Sequence, residues 1–136
     1  MTRVSKDVRI YVLQRASFRC EYCHRPLRYG ISKFHVDHIV PVERHLGSEG
    51  VENLASSCIT CNTNKSSDVA SYDANIFELA PLYNPRTQNW DEHFQLKDGY
   101  IIGQTIIGRV TVRLLKMNVF GYDVEFRLHL SQLGLM

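Results

Sequence analysis

Four cysteines in two Cys-x-x-Cys pairs, Cys20/Cys23 and Cys58/Cys61, bracket a segment that contains Asp37-His38 and Asn53, and Asn62 follows the last cysteine. Two-residue spacing lets both sulfurs of a pair reach one ion at about 2.3 Å, and two such knuckles make a closed tetrahedral site suited to structural Zn2+. The gap of 34 residues between Cys23 and Cys58 is longer than a simple ribbon needs. It has room for a strand and a loop with chemistry of their own. Redox use of the pairs is the alternative, weakened by finding two motifs in one small chain without thioredoxin-like context. His24, beside a knuckle, reads as a surface imidazole.

Asp37, His38 and Asn62 suit another task. Hydrolysing a phosphodiester takes an activated water, a cation at the leaving oxygen, and groups that orient both. Imidazole ordinarily titrates close to neutrality, so a histidine at position 38 can take a proton from water. Asp37 offers carboxylate oxygen and Asn62 an amide oxygen. Such a pair leaves most of the coordination sphere to water and phosphate, which suits Mg2+ or Mn2+ better than a catalytic Zn2+. Lys65, three residues past Asn62 on the same helical face, reads either as a phosphate contact or as a solvated lysine. Neighbouring side chains on a regular strand point to opposite faces. Asp37 and His38 therefore serve one phosphate only if the strand bends or ends there, and Pro41 is compatible with that.

On these residues the chain resembles a known family. Phe34-His35-Val36-Asp37-His38-Ile39-Val40-Pro41, Glu52-Asn53-Leu54 and Cys58-x-x-Cys61-Asn62-x-x-Lys65 are similar to the HNH endonucleases in their zinc-stapled form. The resemblance covers about residues 18–67 and implies a ββα-metal core of two strands and a helix. It makes His38 the general base, Asp37 the metal-binding acid, Asn53 the residue that positions the base, and Asn62 the second metal ligand. The final letter is asparagine rather than histidine, an H-N-N variant, which shifts expectation toward Mg2+ or Mn2+. The activity implied is one-metal hydrolysis of DNA, leaving a 5′-phosphate and a 3′-hydroxyl. Farther along, Asn84-Pro85-Arg86, Trp90-x-x-His93-Phe94, Asp98-Gly99 and Gly108-Arg109-Val110-Thr111-Val112 look like short stand-alone bacterial HNH proteins, many of them cyanobacterial.

The elements that must hold these residues are read from periodicity. Val4, Val8, Val12 and Ala16 recur every four residues and predict a helix over 5–17 capped by Ser5. Residues 34–40 read as a strand stopped by Pro41, and 42–50 as a polar loop. After Asn53 the chain reads as helical to about Lys65, and 69–90 as an extended connection over the surface. Phe94–Ile102 reads as a hairpin turning at Lys97-Asp98-Gly99, followed by helices over 105–117 and 122–133. The expected fold is α+β. An N-terminal helix and zinc-stapled core occupy 1–70, and an extension, 71–136, packs on that core.

At 136 residues with 44% apolar composition the chain has enough material for one core that still gains from a structural metal. Charge is uneven: residues 1–33 carry eight basic against two acidic side chains, and the remainder eight against twelve. That suggests a basic N-terminal face for a polyanion, with a merely solvated helix face as the alternative. Arg19, Arg25, Arg28 and Lys65 are the expected contacts to DNA, read as double-stranded. No apolar run approaches the ~18 residues of a membrane helix, so a cytoplasmic protein without membrane contact is expected. A non-cutting zinc-stapled nucleic-acid-binding module, or a subunit of a larger defence or mobile-element system, is the rival reading. Homodimers and larger complexes stay open.

Overall fold

A computed structural model describes residues 4–27 and 34–136. Arg3, Arg28, Lys33 and the expected turn at Gly30 lie outside the described residues. Helix α1 (Lys6–Arg15) begins where the Ser5 hydroxyl accepts the Val8 N–H at 3.3 Å. Val12 is the only residue of α1 that is fully buried, and Ile10 and Tyr11 stay exposed. The helix is tied down by polar reach as much as by its apolar stripe. The Arg15 guanidinium donates to the carbonyls of Val51 and Leu54 at 3.0 and 2.6 Å. That of Arg9 lies over the Phe34 ring.

Strand β1 (Phe34–His38) pairs antiparallel with β2 (Leu54–Cys58), with Phe34 opposite Cys58 and His38 opposite Leu54. β1 stops at His38, two residues short of the expected end. The helix expected directly after Asn53 needs a larger correction. Leu54–Cys58 is a strand, buried at all five positions, and helix α3 spans only Ile59–Lys65. β2 is paired on both edges. β1 takes one; on the other, Glu21 N–H donates to the Ser56 carbonyl and Ser56 N–H to the Glu21 carboxylate, both at 2.8 Å. Pairing of this kind outweighs the local preference of a short Leu-Ala-Ser-Ser-Cys stretch. Between the strands, part of the expected loop forms a single turn of helix, α2 (Val42–His45).

The extension holds more structure than periodicity suggested. The stretch read as an extended connection contains a hairpin, β3 (Ala70–Tyr72) with β4 (Leu79–Pro81). The Asp73 carboxylate organises its turn, accepting from the N–H groups of Asn75 and Ile76 at 3.2 and 3.1 Å and pairing with Arg109 at 2.9 Å. A short helix α4 (Trp90–His93) leads into the hairpin β5 (Phe94–Lys97) and β6 (Tyr100–Gly103), which turns at Asp98-Gly99 as expected. Helices α5 (Ile106–Leu114) and α6 (Gly121–Gln132) close the chain. One continuous apolar cluster joins Tyr22, Leu27 and Ala55 of the first half to Tyr83, Phe94, Ile101, Val110 and Leu115 of the second. No helix among the described residues is long and apolar enough to cross a membrane.

Phe94 sits at the junction, 1% exposed, with its ring against Tyr83 and Trp90. Phe94→Ala is expected to lower unfolding stability by about 3–5 kcal/mol. Urea denaturation followed by far-UV dichroism checks the value.

Candidate active site and metal centre

The four cysteines converge. Their sulfurs all lie within 4.8 Å of one another, and the Sγ atoms of Cys23 and Cys58 are 3.8 Å apart. A tetrahedron with metal–sulfur bonds of about 2.3 Å has edges of about 3.8 Å, so the set fits a structural ion such as zinc. Each pair has knuckle geometry: Cys23 N–H points at Cys20 Sγ at 3.5 Å, and Cys61 N–H at Cys58 Sγ at 3.4 Å. Burial pushes the Cys20 thiol up, and hydrogen bonding with Cys20, Cys23 and Cys58 pushes Cys61 up. Cys58 is pulled down, accepting from Cys20, then Cys23 and Cys61. A divalent cation bound by four such sulfurs displaces their protons, so binding is coupled to pH.

The second centre lies at the junction of β1 and α3. A cavity of about 460 Å³ is lined there by Asp37, His38, Pro41, Glu43, Arg44 and Asn62, with Val36, Val42, Ser66 and Ser67. Asp37 and His38 both reach it because the strand ends at His38, so the expected conflict of alternating faces does not arise. Asp37 is the inward member, 6% exposed. Tyr22 Oη donates to its Oδ2 at 2.6 Å, and the Lys65 ammonium lies 3.2 and 3.1 Å from Oδ1 and Oδ2. Burial raises the Asp37 carboxyl above the usual range, and Lys65 and Tyr22 offset part of that rise. The oxygen donors lining the cavity are the Asp37 and Glu43 carboxylates and the Asn62 amide, a hard set of the kind that hard divalent cations prefer.

Asn53 stands outside the cavity and acts on the loop that follows His38. Its side chain accepts from Val40 N–H at 2.9 Å and donates to the carbonyls of Val40 and Ser48 at 2.8 and 2.7 Å. Its own carbonyl accepts Ile39 N–H at 2.8 Å. The chain from 39 to 53 is thereby cinched at one residue. Gly47 packs so tightly against this knot that a Cβ there would lie 1.7 Å from the Val40 oxygen.

Among the expected nucleic-acid contacts Lys65 needs correction, and Arg19 and Arg25 are engaged within the chain. Lys65 is 1% exposed, and its ammonium also donates to the His38 carbonyl at 3.2 Å, which leaves no route to an outside phosphate. Arg19 donates to the carbonyls of His24 and Leu135, both at 3.0 Å. Arg25 pairs with Asp123 at 3.2 Å and lies over the Phe126 ring. Neither arginine lines the cavity. The basic N-terminal segment spends these charges on holding the chain together, because a guanidinium near unpaired carbonyls and a buried carboxylate bonds them first. Arg28 lies outside the described residues. Two residues that sequence reasoning passed over belong to the site: Tyr22, hidden between two cysteines, and Arg44, an exposed cation on the cavity wall. His24 is also half-buried rather than free at the surface, stacked on Trp90 with ring centroids 4.0 Å apart. Burial, with the Arg19 charge nearby, lowers its pKa to about 4.

Residues 20–68 match the family model described as HNH endonuclease. No curated protein and no solved structure matches the chain.

The purified chain is expected to carry one thiolate-bound ion. Cys58→Ser should lose it and unfold tens of degrees below the wild type, since the binding energy of a structural ion is folding energy. Metal content and thermal melting check both statements.

Proposed function

We propose, from the match of residues 20–68 to the HNH endonuclease model, that this chain is a metal-dependent nuclease hydrolysing phosphodiester bonds of double-stranded DNA. The observation that carries the reading is that Asp37, His38 and Asn62 share one cavity, at the end of β1 and beside α3. His38, half-exposed at the strand end, takes the proton from the attacking water. Asp37 and Asn62 would hold Mg2+ or Mn2+, and the bound ion would supply positive charge at the leaving 3′-oxygen. Asn53 positions His38 by fixing the backbone just beyond it. Arg44 takes the role first given to the N-terminal arginines and meets a phosphate flanking the scissile one. The four cysteines hold Zn2+ and do no chemistry on the substrate.

One observation favours a second reading, a module that binds nucleic acid without cutting it. Both oxygens of Asp37 are already bonded within the protein. Plasmid relaxation with Mg2+, Mn2+ or a chelator separates the two. On the nuclease reading, nicking needs the ion and falls at least about a hundredfold in His38→Ala. Binding without nicking under any ion would move the protein to the second reading. Arg44→Ala is expected to weaken DNA binding evenly across sequences and to reduce the slope of log affinity against log salt by about one. A filter-binding series in NaCl measures it.

A further inference from the structure

Tyr22 is fully buried and lies inside the first cysteine knuckle, one residue from Glu21, which pairs with β2. Its hydroxyl reaches Asp37 at 2.6 Å. Its carbonyl accepts the Trp90 Nε1–H at 2.8 Å, and the Trp90 ring also stacks on His24 of the same knuckle. Lys65, the last residue of α3, also reaches this carboxylate, bridging it and the His38 carbonyl. A carboxylate held by two buried donors from different elements has lost its rotational freedom. It can present a lone pair to the cavity in one direction only.

We propose that Tyr22 and Lys65 are positioning residues that fix Asp37 for the divalent ion, Tyr22 tying the carboxylate to the four-cysteine centre and Lys65 to the end of α3. The proposal rests on the reading of Asp37 as a metal ligand. Partners of this kind orient a ligand and tune the affinity of its metal, and losing one typically changes affinity by about ten- to a hundredfold. The arrangement also gives the C-terminal extension a part in the site, because Trp90 holds the tyrosine that holds the aspartate.

Wild-type full chain, Tyr22→Phe, Lys65→Met and Asp37→Ala are compared for zinc content, for Mn2+ uptake without DNA by electron paramagnetic resonance, and for plasmid nicking against Mn2+ concentration. Tyr22→Phe removes one oxygen. It should keep its zinc while the Mn2+ concentration for half-saturation rises about tenfold in both titrations. A packing role alone would lower stability or zinc content and leave Mn2+ half-saturation unmoved, which overturns the proposal while the nuclease reading stands. Mn2+ uptake that survives Asp37→Ala, or wild type that takes up none, also overturns it. Wild type that takes up Mn2+ through Asp37 but never nicks defeats the nuclease reading, and the uptake titrations alone then judge the proposal. Should Tyr22→Phe lose its zinc, Lys65→Met decides, since it leaves the knuckle untouched. A rise of about threefold or more in half-saturation supports the proposal, and no change or a fall overturns it.

Discussion

Four sulfurs within 4.8 Å of one another are the constraint on which the rest of this structure hangs. They come from two places far apart in the chain, the connection after α1 and the joint between β2 and α3. Bringing them together fixes β2 against the first knuckle and aims α3 across the end of β1. Buried thiols this close repel as anions, and a single cation at their centre turns that cost into cohesion. In a chain of 136 residues such a staple offsets much of the ordering entropy that a small core leaves uncovered.

The four-cysteine cluster and the cleft are not separate modules. The first knuckle contributes Tyr22 to Asp37, and the second starts the helix that carries Asn62 and Lys65. Asp37 and Lys65 form a buried pair, 6% and 1% exposed. Desolvating two charges costs several kcal/mol, and the attraction between them repays it only where geometry is good and other donors join in. Tyr22 and the His38 carbonyl supply those further bonds. A pair of this kind is a weak source of stability but a strong source of orientation, because few other arrangements satisfy all its members.

Charge in the extension and in the N-terminal segment is spent in the same way. Arg9, Arg15, Arg19 and Arg25 reach a ring, carbonyls and a carboxylate on other elements. Arg86 pairs with Glu21, and Arg109 with Asp73. The long, pre-organised guanidinium fork suits this use, since it satisfies backbone acceptors across gaps that no apolar contact fills. The chain thus carries a basic N-terminal composition without leaving those particular groups to a polyanion. Arg44, by contrast, is exposed on the wall of the cavity that Asp37, His38 and Asn62 line.

Cysteine spacing was legible along the chain, because a metal site demands particular atoms at particular intervals, and Asp37, His38 and Asn62, singled out together from the sequence, line one cavity. The hairpin at 94–103 and the helices of the extension were legible too, since turn residues and apolar stripes act locally. The strand Leu54–Cys58 was not, because what makes it a strand is the partner on each edge rather than its own residues. The hairpin 70–81 escaped for a related reason: its turn is held by Asp73 and Arg109, 36 residues apart. Tyr22 and Lys65 show the limit most sharply. Sequence made one an unremarked residue between cysteines and the other a phosphate contact or a solvated lysine. Tertiary structure buried both on Asp37, because a desolvated carboxylate takes whichever donors the fold brings within reach.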